Sequence, residues 1–179
     1  MDTPKMKRFV ADATKKHFSG FGFRDLLRGT PTQKGTFSGA TREIKRYFAD
    51  LGHELNCLVA SCGVVGTDGG EWLYDLVWYT NSHSGNYRNQ VLVLESELRP
   101  GGAVLNSEFI DDDFLKLIQA RADIRVWIAA IPTEALRTAH LQNCKQQIAD
   151  FQQSQAGDFY IFILFDWTSG TVLVEEYIH

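Results

Sequence analysis

Apolar positions recur at a helical interval near the start of the chain, where Met6, Phe9, Val10, Ala13 and His17 line one face behind a Thr3-Pro4 start signal. Gly20 is placed to end that helix, and a long Gly/Thr/Ser-rich connection follows to Ala40. It is expected to hold a short helix around Asp25–Arg28, with Phe18, Phe21, Phe23 and Phe37 fastening it to the body or stacking on bases. A second helix is predicted from Thr41 to Leu51, with Ile44, Tyr47, Phe48 and Leu51 as its buried stripe and Gly52 as its stop.

The pattern then shortens to that of strands. Residues 54–60 and 72–79 are predicted to pair around the turn signal Thr67-Asp68-Gly69-Gly70. After a polar loop over 81–89, Val91-Leu92-Val93-Leu94 has the continuous apolarity of a strand covered on both faces. Asp111-Asp112-Asp113 opens a helix carrying Phe114, Leu115, Leu117 and Ile118, and three acids suit the positive end of its dipole. Residues 125–131 form the next strand, so a strand–helix–strand crossover makes that pair parallel. A helix from Thr133 to Gln153 and a hairpin of 159–167 with 171–177 complete the order. The fold class is α/β: a mixed sheet flanked by helices, with an N-terminal helical arm (1–40), a body (41–179) and a C-terminal β-hairpin.

Composition narrows the function. At 179 residues, 44% hydrophobic and 12% aromatic, the chain has enough apolar material for one packed domain. It has no run of about 20 apolar residues, so a membrane role is not expected. Three cysteines, Cys57, Cys62 and Cys144, lie in or beside apolar segments and suit a reducing, cytoplasmic setting. Charge is uneven. Residues 1–46 hold eleven Lys/Arg against four acids, and the remainder seven against eighteen. A basic flank beside an acidic body suits a nucleic-acid phosphate backbone or a solvated basic helix. Arg42, Lys45 and Arg46 are the nucleic-acid-binding candidates.

The candidate chemistry lies in three acids. Asp75 sits in the second strand, and Glu95 and Glu97, two residues apart, share one side at the end of the third. If those strands are neighbours, their carboxylates converge. Hard divalent cations prefer such oxygens, and a cation held there polarises a phosphodiester. Weaker signals are set aside. The glycines at 63, 66, 69 and 70 lack the Lys-Ser/Thr of a phosphate loop, and Cys57, Cys62 and His83 make a poor zinc set.

The succession Glu71-Trp72-Leu73-Tyr74-Asp75-Leu76-Val77-Trp78, Val91-Leu92-Val93-Leu94-Glu95-Ser96-Glu97, Asp113–Arg121 and Ile124–Ile128 resembles the restriction-endonuclease-like (PD-(D/E)XK) nuclease superfamily. The resemblance spans about Thr41 to Ile131 and implies an α-β-β-β-α-β core. It implies Mg²⁺ or Mn²⁺ held by Asp75 and Glu95, with Glu43 as the helix-borne acid, and nucleic acid as substrate. Tyr74 stands where the superfamily has proline, and Glu97 where most members have lysine. Glu97 would then serve as base or extra ligand, or Lys116 would reach in from the following helix, with Gln119 one turn further on. A second reading keeps the fold, drops the catalysis and makes the domain a protein-interaction or accessory module.

Overall fold

The structure, a computed structural model, describes residues 2–19, 36–70, 72–98, 112–166 and 169–179, with side chains in the second helix described from residue 39. Helices α1 (Thr3–Ser19) and α2 (Thr36–Glu54) precede strands β1 (Leu58–Ser61), β2 (Leu76–Asn81) and β3 (Tyr87–Glu97). Then come α3 (Asp112–Gln119), β4 (Ile124–Ala130), α4 (Glu134–Asp150), β5 (Phe159–Phe165) and β6 (Val172–Ile178). The six strands form one sheet in chain order. β1, β2 and β3 make an antiparallel meander, β3, β4 and β5 are parallel, and β6 returns antiparallel. The order of elements and the mixed sheet are as the pattern predicts.

Two apolar layers sandwich the sheet, because neighbouring residues of a strand face opposite ways. Leu76, Trp78, Leu92, Leu94, Val126 and Ile128 meet Val10, Phe18, Ile44 and Phe48 of α1 and α2. Val77, Val93, Trp127, Phe162 and Leu164 meet Phe114 and Leu117 of α3 and Leu141, Cys144 and Ile148 of α4. The N-terminal helix thus shares the core of the body. Phe18 is its anchor, with ring contacts to Tyr47, Phe48 and Phe165. Phe21 and Phe23, the side chain of Phe37, and the expected short helix near residue 25 lie outside the described residues.

Gly52 does not stop α2. The helix runs on to Glu54 and ends in a Schellman motif around Asn56, whose φ is 59°. In that motif Cys57 N–H donates to the Gly52 carbonyl (2.9 Å) and Asn56 N–H to that of His53 (2.9 Å). The glycine serves close packing instead. A Cβ there would lie 2.6 Å from Nε1 of Trp78, an indole wholly buried and donating to the Phe48 carbonyl at 2.8 Å. Gly52→Ala is therefore expected to destabilise the fold by about 1–3 kcal/mol, outweighing alanine's better helix propensity. Denaturant unfolding would measure this, with Trp78→Phe in the alanine background restoring part of the loss. Neutral or stabilising Gly52→Ala would contradict the close approach.

The meander departs from expectation in its lengths. Residues 87–89, expected as loop, belong to β3, which pairs with β2 down to Asn81↔Tyr87 through two register shifts. β2 begins only at Leu76, so Trp72, Leu73, Tyr74 and Asp75 form an irregular approach to it. Polar, exposed residues at the start of β3 hide its strand character from a hydrophobicity pattern. α4 starts as predicted, Thr133 capping the Leu136 amide, but ends at Asp150 and not at Gln153.

Candidate functional site

The site lies where β2 begins and β3 ends, the same end of the sheet because the two strands are antiparallel. Asp75 leaves the bend before β2 and turns its carboxylate toward α2. Oδ1 pairs with Lys45 Nζ at 2.9 Å, and Oδ2 accepts from the Ser96 amide (3.0 Å) and hydroxyl (2.7 Å). Asp75 is thus clamped to the residue between Glu95 and Glu97.

Glu95 points to the other layer, in step with Val93. It is 3% exposed. Lys116 Nζ of α3 lies 2.9 Å from Oε1 and 2.5 Å from Asp113 Oδ1. The ammonium approaches the buried Oε1 as its counter-charge. Loss of water pushes the Glu95 carboxyl up to about 7, against the pull of Lys116 and with added repulsion from Asp75 and Asp113. For Lys116 burial works against the charge, but the carboxylates of Asp113 and Glu95 prevail and hold it firmly protonated. Tyr74 is buried on the Glu95 face of the sheet. Burial and then the Glu95 carboxylate raise its phenol.

Glu97 is also buried, at 8% exposure, and pairs across β4 with Ala129. It is not a solvated strand-end acid. Lys116 does reach the third-strand acid, as one alternative required. Two expectations fail on α2. Glu43, expected as a metal ligand, is half exposed and pairs with Arg46 at 3.2 Å. Lys45, expected on a phosphate-binding surface, is 6% exposed and faces Asp75. Positions 43 and 45 lie about 200° apart around a helix, so only one of them can face the sheet. Arg42 and Arg46 are exposed. Gln119 lies at the far end of α3, lining a polar cleft of about 630 Å³ with Asp123 and Arg125, away from the acids.

Three contributors escaped the pattern: Lys45, Ser96 and Tyr74. Lys45 left a trace, since with Phe48 and Gly52 it continues a 3–4 spacing beside the apolar stripe. Among the described residues no group of three or more His, Cys, Asp and Glu is arranged to hold a metal ion. Asp75 and Glu95 carry the hard oxygen donors that Mg²⁺ or Mn²⁺ takes, but each faces a lysine at 2.9 Å and they lie on opposite faces of the sheet, so the expected convergence of the three acids is not seen. The three cysteines are free, Cys57 and Cys144 buried and Cys62 exposed. Comparison with family models, with curated proteins and with solved structures finds no match.

Proposed function

We propose that the chain is a metal-dependent phosphodiesterase acting on nucleic acid, with a restriction-endonuclease-like core. The observation that carries this is the meeting of two carboxylates and two lysines at one end of the β2–β3 pair: Asp75 with Lys45, Glu95 with Lys116. The succession α2-β1-β2-β3-α3-β4, with its antiparallel meander and parallel crossover, supports the core assignment.

Mg²⁺ or Mn²⁺ held by Asp75 and Glu95 would supply positive charge to a phosphodiester under attack. Ser96 fixes the Asp75 rotamer by two hydrogen bonds, so that one carboxylate edge is set before substrate arrives. Lys116 stays protonated, which makes it a donor to a phosphoryl oxygen and not a base. Glu97, on the Glu95 face, is the carboxylate proposed to take the proton of the attacking water. Lys45 and Lys116 neutralise the acids when no cation is bound.

Calorimetric titration of Mn²⁺ and cleavage of an oligonucleotide test the proposal together. Wild type is expected to bind one ion specifically and to cleave. Lys116→Met should keep the ion and lose cleavage about 100-fold or more. Folded wild type that neither binds Mn²⁺ nor cleaves single or double strands at millimolar ion would overturn the reading. The lysine pairing itself favours a second function, an accessory module whose site is sealed by its own cations. In that case Lys116→Met would change no activity.

A further inference from the structure

At the turn end of the β2–β3 pair, on the Glu95 face of the sheet but at the opposite end from the acids, three aromatic rings collect. Trp72 lies 4.8 Å from Tyr79 and 5.6 Å from Tyr87, and Tyr79 stacks on Tyr87 at 5.8 Å with 26° between planes. Trp72 is 48% exposed and Tyr87 50%, while Tyr79 beneath them is 8%. A buried ring therefore braces two half-open ones. Trp72 stands three residues before Asp75.

Ring shape and patch size choose the occupant. Between Leu76 and Leu94 the hairpin holds one charged residue, Arg88, next to Tyr87, and no acid, although the chain carries −4 overall. The tip is polar, with Ser82, Ser84 and Asn86 hydrogen-bonded among themselves. Each half-open ring offers about 100 Å², and with Leu73 the patch stays far below the roughly 800 Å² per partner of a stable protein interface. Acids lie nearby, with Glu71 preceding Trp72 in the chain and Asp123 accepting from Asn89 at 3.1 Å, so it is the open π-faces, next to Arg88, that fit a stacked unpaired base.

We infer that Trp72 and Tyr87 form a stacking shelf for unpaired nucleobases at the turn end of the β2–β3 pair, so that a strand running from the shelf to Asp75 and Glu95 is single-stranded nucleic acid. The strand's delivery to the acids rests on the phosphodiesterase reading; the shelf's own binding does not.

The test is fluorescence anisotropy with a labelled thymidylate of about twelve nucleotides, an abasic oligomer of equal length and a matching duplex, all without divalent ions. Wild type is expected to prefer the thymidylate. Trp72→Ala and Tyr87→Ala should each weaken it about 5- to 100-fold while leaving the abasic oligomer unchanged, and Trp72→Phe should keep most of the affinity. Both positions are half exposed, and circular dichroism would verify the fold of each variant. Equal binding of thymidylate and abasic oligomer, or alanine variants that bind like wild type, would overturn the shelf. So would sedimentation showing that the alanine variants dissociate a dimer.

Glu95→Gln separates the two readings. It should bind thymidylate normally and lose Mn²⁺-dependent cleavage. Shelf-dependent binding by a wild type that never cleaves would remove the enzyme and keep the shelf. Cleavage indifferent to Trp72 and Tyr87 would do the reverse.

Discussion

Glu95→Gln is expected to end metal-dependent cleavage and, above pH 7, to make the protein more stable. The carboxyl is buried at 3% exposure, and its pKa is raised from 4.5 to about 7. A raised folded-state pKa means that the native chain binds the proton more tightly than the unfolded chain. Between about pH 4.5 and 7, wild-type stability must then fall as pH rises. Below that window the penalty is absent; above it, the penalty is complete.

Glutamine carries no charge and removes this slope. It also removes the pairing with Lys116, which is 34% exposed and keeps Asp113. The net gain at pH 8 is expected to be on the order of 1–3 kcal/mol, shrinking toward zero at pH 4. Urea unfolding of both proteins across that range measures it. A variant less stable than wild type at pH 8, or a wild type with no slope in the window, would show that Lys116 fully compensates the buried charge. A carboxylate whose removal stabilises the fold but ends activity is the signature of a site kept for function.

Asp75→Ala should act in the opposite direction and on stability first. Its carboxylate faces Lys45, whose side chain is 8% exposed, and receives both donors of Ser96. Alanine withdraws the Asp75 charge from a buried ammonium and strands the Ser96 amide. The expected cost is on the order of 3 kcal/mol. Lys45→Met in that background should recover much of it, because methionine fills similar space without charge. Thermal unfolding of the two singles and the double closes the cycle, and additive losses would refute the coupling. The same cycle protects the metal experiment, since lost Mn²⁺ binding is informative only in the refolded double variant.

The helix-borne cation explains why this site was only half legible beforehand. Glu95 and Glu97 are legible because acids ending an apolar strand violate a simple local pattern, and Asp75 because it stands in the neighbouring strand segment. Lys116 was also within reach, since it follows Asp113 by three residues on a strongly amphipathic helix. Lys45 was misplaced. Lysine is nearly always a surface residue, so a local pattern assigns it to solvent unless a distant carboxylate is known to meet it.

Local sequence determined the kinds of element, their order, the parallel crossover after β3, the cap at Thr133 and the acidic first turn of α3, because periodicity, turn chemistry and chain direction act over a few residues. Tertiary structure alone decided the rest. It turned Gly52 from a stop into a packing contact, since Trp78 approaches from 26 residues away. It carried the polar start of β3 into the sheet by pairing it with β2, and it set Asp75 against Ser96 across that pair. It also split the three acids between the two faces of the sheet: Asp75 leaves the bend before β2 toward α2, while Glu95 follows the alternation of β3 toward α3. Which carboxylate meets which lysine depends on register and packing between segments far apart in the chain, and local residue patterns carry no information about either.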